Sequence, residues 1–297
     1  MSFNLQSYLQ AQGNKISAVF NEFLSERDGA SQLIQAMSYS FLAGGKRIRP
    51  ILCLAAVDTV GGDEEIALPA AFALELVHTY SLIHDDLPAM DDDELRRGVQ
   101  TCHVRFNEAT AILAGDALLT LAFEVLANAG MTNGPSAIKW LGITKILAER
   151  AGCTGMVEGQ MRDILSEGKL LSVDEMKKLH ALKTGALIEA SLHIGAIVGG
   201  ASPEQTRHLR RYGRKIGLAF QITDDILNVN GDPKLLGKAV GSDAEKLKNT
   251  YPSLLGVDVS LSLVRELIGE ALHSLETFNK KALPLIEIAS YIAQRNR

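Results

Sequence analysis

Apolar residues return every three or four positions along most of this chain, the spacing of one buried face on an α-helix. Leu5, Leu9, Ile16, Phe20, Phe23 and Leu24 mark such a face in the opening segment, which Gly29 and Ser31 punctuate. A second helix is expected up to about Leu42, stopping at Gly44-Gly45. Pro50 opens a third, rich in Leu and Ala, that ends at Gly61-Gly62. Pro69 starts an apolar helix that reaches Asp85-Asp86. A long apolar segment from Ala109 to Ala129 is broken by Asn133-Gly134-Pro135, and a helix from Ser136 runs towards Leu165. Ser172 with Glu175 three residues on forms a capping box, which opens a helix over 173–199. Further helices are predicted over 203–229, 258–279 and 283–295. No alternating strand pattern of useful length occurs. No repeat with a period of roughly 20–50 residues recurs, and no Gly/Ser or Pro linker splits the chain. The pattern predicts an all-α protein, a single domain over residues 1–297 made of about ten helices, and helical bundles of this kind build ligand sites from side chains on facing helices.

Composition narrows the function. With 46% apolar residues over 297 positions the chain is long enough for a substantial core, and a net charge of −5 gives no global attraction to nucleic acid. Cys53, Cys102 and Cys153 lie far apart with no CxxC spacing, which argues against a disulfide framework or a zinc site. The N-terminal segment lacks a basic region followed by an apolar one. The most apolar stretch, Ala109 to Gly130, holds Asp116 and Glu124, which a membrane span tolerates poorly. A soluble, cytoplasmic protein without a membrane span is expected.

Against this background two acidic clusters stand out: Asp85-Asp86 in SLIHDDLPAMDDDELRRG and Asp224-Asp225 in FQITDDILNVNGD. Each follows apolar helical sequence, where an ionised carboxylate without a partner is costly. On a continuous helix Asp85 and Asp91 would lie about 120° apart around the axis. Pro88 disfavours helix at Leu87, so the chain should turn there and bring Asp91 back towards Asp85. Asp224 and Asn228 share a helix face, with Asp225 beside them. Local basic groups accompany the acids: Lys46, Arg47 and Arg49 in GGKRIRP, and Arg96-Arg97 before Gly98. Carboxylates and guanidiniums around one pocket suit a magnesium-bridged polyphosphate. His78 lies two helical turns before Asp85 on nearly the same face. Lys183-Thr184-Gly185 interrupts an apolar segment, and Gln221 sits one turn before Asp224-Asp225. The polar stretch from Gly231 to Pro252, with Lys234, Lys238, Lys246 and Lys248, is placed to form a lid over an anionic ligand. No GxSxG, P-loop, GxGxxG or HExxH pattern occurs, so metal and electrostatic chemistry is expected rather than a covalent intermediate.

GGKRIRP, LVHTYSLIHDDLPAMDDDELRRG, CHVRF, AGDALL, LKTGA, FQITDDIL and KNTYP, taken in this order, resemble the trans-isoprenyl diphosphate synthase family over essentially the full chain, most closely its bacterial farnesyl diphosphate synthases. The family's DDxxxxD motif matches Asp85, Asp86 and Asp91. The resemblance implies an isoprenoid-synthase bundle with a central active-site cavity, an ionisation–condensation–elimination reaction and a homodimer. It implies up to three magnesium ions, with manganese able to substitute, held by Asp85, Asp91 and Asp224 with Asp86 and Asp225 assisting. Arg96, Lys183, Lys238 and Lys248 would grip an allylic diphosphate. Thr184 and Gln221 would stabilise the allylic cation. Lys46, Arg49, His78 and Arg97 would bind isopentenyl diphosphate, and the departing diphosphate would take the proton. An aromatic residue at the fifth position before the first motif stops growth near fifteen carbons in this family. Tyr80, with Ser81 after it, therefore favours farnesyl diphosphate over the twenty-carbon geranylgeranyl product. One departure is Asn228, where the second motif usually has a third aspartate. That change keeps a carbonyl oxygen but loses a charge, and it leaves an inactive regulatory subunit as a competing reading.

Overall fold

The computed structural model describes residues 3–132, 136–230 and 249–294. Its helices are α1 (Leu5–Ser25), α2 (Gln32–Leu42), α3 (Ile48–Val60), α4 (Glu64–Asp85), the short α5 (Cys102–Arg105), α6 (Glu108–Thr132), α7 (Ala137–Ala151), α8 (Met156–Ser166), α9 (Val173–His180), α10 (Ala186–Val198), α11 (Pro203–Asn230), α12 (Tyr251–Leu255), α13 (Val257–His273) and α14 (Leu283–Gln294). The all-α expectation holds. The part of the predicted lid from Gly231 to Lys248, with Lys234, Lys238, Lys246 and Lys248, lies outside the described residues.

Two apolar clusters carry the packing. One joins side chains of α1, α2, α4, α6 and α7, including Phe20, Phe41, Phe72 and Trp140. The other joins α3, α11, α13 and α14, including Tyr212, Leu209 and Ile288. Helix α10 runs between them and contributes to both: Leu187 and Ile194 face one, Ile188 and Leu192 the other. A helix apolar all round has to be a central one. Three stretches, Glu64–Asp85, Glu108–Thr132 and Val173–Val198, are long and apolar enough to cross a membrane by length and composition. Burial inside the protein accounts for most of that hydropathy in the first and third, where 67% and 72% of the apolar window is covered, against 39% in α6.

Several boundaries differ from the periodicity. Helix α4 starts at Glu64 behind its cap Asp63, whose side chain accepts from the Glu65 N–H, and Pro69 sits inside it. An N-terminal cap outweighs one missing hydrogen bond there. The helix expected from Ser136 towards Leu165 is two helices, α7 and α8, because Gly152 and Gly155 leave helical geometry between them. The helix expected over 173–199 contains one π-turn, Ala181–Gly185, between α9 and α10. Its capping box at Ser172 and Glu175 is present. The segment expected to be helical to residue 279 ends at His273 and continues as a 3₁₀ turn over Glu276–Ala282. One small antiparallel pair, Leu95–Arg96 with Val99–Gln100, was not foreseen. It is too short to show alternation, and it closes through Arg97 and Gly98, both at positive φ. All three cysteines are free.

Candidate active site

The first acidic cluster folds as its proline implies. Helix α4 ends at Asp85, and the Asp91 N–H returns to donate to the Asp85 carbonyl at 2.8 Å. Asp85, Asp86 and Asp91 thereby share one end of α4. Burial raises the Asp85 carboxyl to about 6 against the pull of Lys183. Burial raises Asp86 as well, opposed by Arg96, whose Nε lies 2.6 and 2.8 Å from its two oxygens. Arg96 Nη2 also approaches Asp93 at 3.5 Å. Asp86 therefore holds Arg96 beside this end of α4, and Arg96 is not a free cation here.

Next to this end of α4 lies a cavity of about 330 Å³. Its polar lining includes Arg49, His78, Ser81, Asp85, Lys183 and Thr184. Its apolar lining includes Tyr80, Met90, Met156, Met161 and Ile164. The pattern that put His78 and Asp85 on one face is thus realised. Tyr80 stands about 7 Å from Asp85 along the helix axis, 6% exposed, with its ring edge-on to His84 at 5.7 Å.

Lys183 and Thr184 reach the cavity because of the π-turn. A π-turn inserts one residue into the helical register and re-aims side chains, which is why such turns cluster at functional sites. Helix α8 lies against it closely: a Cβ on Gly159 would stand 2.2 Å from the Lys183 nitrogen. Only glycine permits that approach. One turn further, Asp163 Oδ2 holds Lys183 Nζ at 2.5 Å. Thr184 Oγ1 donates to Gln221 Oε1 at 2.8 Å, Gln221 Nε2 donates to Asp225 Oδ1 at 2.9 Å, and the Tyr251 N–H donates to Asp225 Oδ2 at 3.0 Å. Asp225 is 3% exposed. Its two oxygens orient Gln221 and anchor α12.

The basic side is arranged around Glu75. Gly44 and Gly45 have φ of 89° and 115°, and a Cβ on Gly45 would strike the Arg97 guanidinium. Arg47, in the left-handed conformation, turns inward. It pairs with Glu75 at 2.6 Å, donates to the Phe41 carbonyl and lies over the Phe41 ring. Arg97 donates to the Gly44 carbonyl. Burial lowers the Arg49 pKa to about 10, partly offset by Glu75. Burial, and then Arg49 and Arg97, hold His78 well below its ordinary range and neutral. Arg49 Nε and Glu75 Oε2 are buried with no partner among the described residues. Lys46 is exposed, its ammonium 5.5 Å from the Tyr291 ring, and it does not line the cavity.

The donor set fits magnesium. A hard cation that keeps several waters needs one or two carboxylates and substrate oxygens. Asp85 and Asp91 share the end of α4, and Asp224 acts electrostatically on Arg49 across the site. Asn228, one turn beyond Asp224, is 3% exposed.

Four contributors escaped the sequence pattern: Glu75, Gln160, Asp163 and His84. Glu75 carried a usable signal, a carboxylate in an apolar run three residues before His78. Gln160 and Asp163 share a face of a polar helix, where the pattern does not separate a cavity wall from a surface. The Gln160 amide is buried without a partner among the described residues and lines the cavity.

Comparison with known proteins agrees with this geometry. The polyprenyl synthetase family model matches residues 30–283. A chloroplastic geranylgeranyl pyrophosphate synthase from Catharanthus roseus is 45% identical over 297 residues, covering 99% of this chain and 82% of that protein. The farnesyl diphosphate synthase of Geobacillus stearothermophilus is 42% identical over 293 residues, covering 99% of this chain and 98% of that protein. Among solved structures, an FPP/GFPP synthase from Zymomonas mobilis superposes with a TM-score of 0.87 at 37% identity, covering 99% of this chain and all of that one.

Proposed function

The chain belongs to the polyprenyl synthetase family, and on that premise we propose that it condenses isopentenyl diphosphate with dimethylallyl and geranyl diphosphates and stops at farnesyl diphosphate. Its short-chain trans-prenyltransferase character comes with the family. The fifteen-carbon stop is our reading, and the observation that carries it is Tyr80, whose ring closes part of the cavity one and a half turns below Asp85. Relatives named for farnesyl and for geranylgeranyl products are similar to this chain to nearly the same degree.

Asp85, Asp91 and Asp224 would hold magnesium, which would supply the charge neutralisation that diphosphate needs to leave the allylic carbon. Lys183, on its π-turn, supplies a cation for the same leaving group. Arg49 and Arg97, with neutral His78, hold the diphosphate of isopentenyl diphosphate. Thr184 lines the cavity and spends its hydroxyl hydrogen on Gln221, which leaves its oxygen lone pairs available where positive charge develops on the allylic fragment. As the allylic C–O bond breaks, the isopentenyl double bond attacks to form the new C–C bond. A proton is then lost to the departing diphosphate. Holding both substrates in one cavity supplies much of the rate. A homodimer fits the exposed apolar side chains Leu113, Ile138 and Leu141 on α6 and α7, which are 58%, 88% and 70% exposed.

The test is product length. The purified protein is incubated with magnesium, labelled isopentenyl diphosphate and either allylic primer, and the dephosphorylated alcohols are separated. Fifteen carbons from both primers supports the proposal. Twenty carbons would remove the stop assigned to Tyr80 while leaving the prenyltransferase reading. No product would favour the inactive subunit.

A further inference from the structure

The construction of one buried glutamate under several arginines occurs a second time, away from the cavity. Glu189 on α10 is 4% exposed, and three guanidiniums converge on it. Its Oε1 accepts from Arg210 Nε and from Arg214 Nη1, each at 2.9 Å, and Arg150 Nη2 lies 3.3 Å from Oε2. Arg150 comes from the last turn of α7, and Arg210 and Arg214 from successive turns of α11. None of these residues lines the cavity.

His193, one turn along α10 from Glu189, completes the cluster. Burial lowers its pKa to about 4, Arg210 and Arg150 act in the same direction, and Glu189 opposes them. The ring is therefore uncharged near neutral pH. Three guanidiniums against one carboxylate leave a surplus of two positive charges among the described residues. A structural ion pair needs one guanidinium for one carboxylate, and each further one adds like-charge repulsion. The arginines remain reachable, at 32%, 33% and 53% side-chain exposure. Each guanidinium carries five N–H donors, and Glu189 uses only a few of them, so their forks are free to bind a second anion.

We propose that Arg150, Arg210 and Arg214, braced by Glu189, form a second binding site for a small multivalent oxyanion of the phosphate or diphosphate class. The cluster stands without the proposed function; only its likeness to the Arg49, Arg97 and Glu75 set rests on that reading. Glu189 lies about 7 Å along the axis from Thr184 and is turned roughly 140° away from it. Arg214 lies two turns before Gln221 on the same helix. An occupant would therefore rest on the two helices that carry the π-turn and Gln221.

Two measurements on the full chain test this. Crystals grown without sulfate or phosphate are soaked in selenate, whose anomalous signal locates it. Calorimetric titrations with inorganic phosphate and with diphosphate, in chelator, are run on the wild type, Arg214→Gln and Glu189→Gln. Whatever the cavity binds is common to all three proteins. The expected result is a selenate peak among the three arginines, binding weakened about tenfold in Arg214→Gln through loss of one charged hydrogen-bonding group, and binding tightened in Glu189→Gln, where the competing charge is gone. A purely structural knot predicts the reverse for Glu189→Gln, destabilisation without a gain in affinity, and that outcome overturns the proposal. Absence of a peak at Glu189 overturns it, whatever appears at Arg49. A selenate peak with no titration change in either variant would mean an adventitious ion only and would likewise overturn it.

Discussion

Tyr80 lines the cavity and meets His84 edge-on, and under the proposed function its volume limits how far an allylic tail extends past Asp85. Tyr80→Ala should lengthen the main product from fifteen to twenty carbons at a stability cost of up to about 3 kcal/mol. Chromatography of the alcohols checks it, and an unchanged product would move the stop elsewhere. Asn228 is buried one turn beyond Asp224. Because the carbonyl oxygen is retained, Asn228→Asp should leave turnover within about tenfold of wild type; a much larger gain in steady-state rate would show that the natural residue impairs a metal site. His180 is a pH-sensitive residue of the core. Burial lowers its pKa from 6.5 to about 4. Between those values the unfolded chain binds a proton that the folded one does not. The stabilisation is therefore fully present above pH 6.5 and declines as pH falls towards 4, by about 3 kcal/mol in all. Urea unfolding at pH 7 and pH 5 should show a smaller loss in His180→Gln than in wild type, and equal losses would refute the assignment.

Between elements, the contact that sets the chemistry is α8 against the π-turn. Gly159 lets the two backbones meet at Lys183, and Asp163 one turn on fixes where the ammonium stands. Gly159→Ala should drive them apart at a packing cost of about 1–3 kcal/mol. Turnover should fall about tenfold or more, because Lys183 and Thr184 move together. Thermal melts beside steady-state kinetics decide the matter: a lowered melting point with normal turnover would mean that the position of the π-turn is not critical. The same scale explains the GGKRIRP segment. The left-handed Arg47 sends its side chain into the core and leaves Arg49 to the cavity, so basic residues two positions apart have opposite roles.

For the whole molecule, two apolar clusters joined through α10 hold the bundle, and at the ends of α4 and α11 they pack Ile83, Leu87 and Ile226 and not the Asp85, Asp91 or Asp224 carboxylates. Removing divalent metal should therefore abolish turnover while leaving the far-ultraviolet helical signal and the melting temperature nearly unchanged. Loss of helix on chelation would show that the metal also holds the fold. Burial of α4 and of the Val173–Val198 stretch also explains why two of the three helices apolar enough to span a membrane pack inside the protein.

Helical periodicity determined most element positions, the turn at Pro88 and the shared face of His78 and Asp85, because these depend on neighbours only a few residues away. Charge placed in apolar helix pointed to Asp85, Asp86, Asp224 and Asp225, because burial of a carboxylate demands a partner wherever it occurs. What periodicity could not supply was which partner each group meets. Asp225 serves Gln221 and Tyr251, Asp86 serves Arg96, Lys183 meets Asp163 and Lys46 lies outside the cavity. The π-turn was equally invisible, since it follows from the close approach of the Gly159 backbone to Lys183. These contacts join residues distant in sequence, and their energies come from packing and desolvation that exist only once the helices are docked. The sequence by itself determined the helices and the charged groups that would need partners; the tertiary structure decided the pairings.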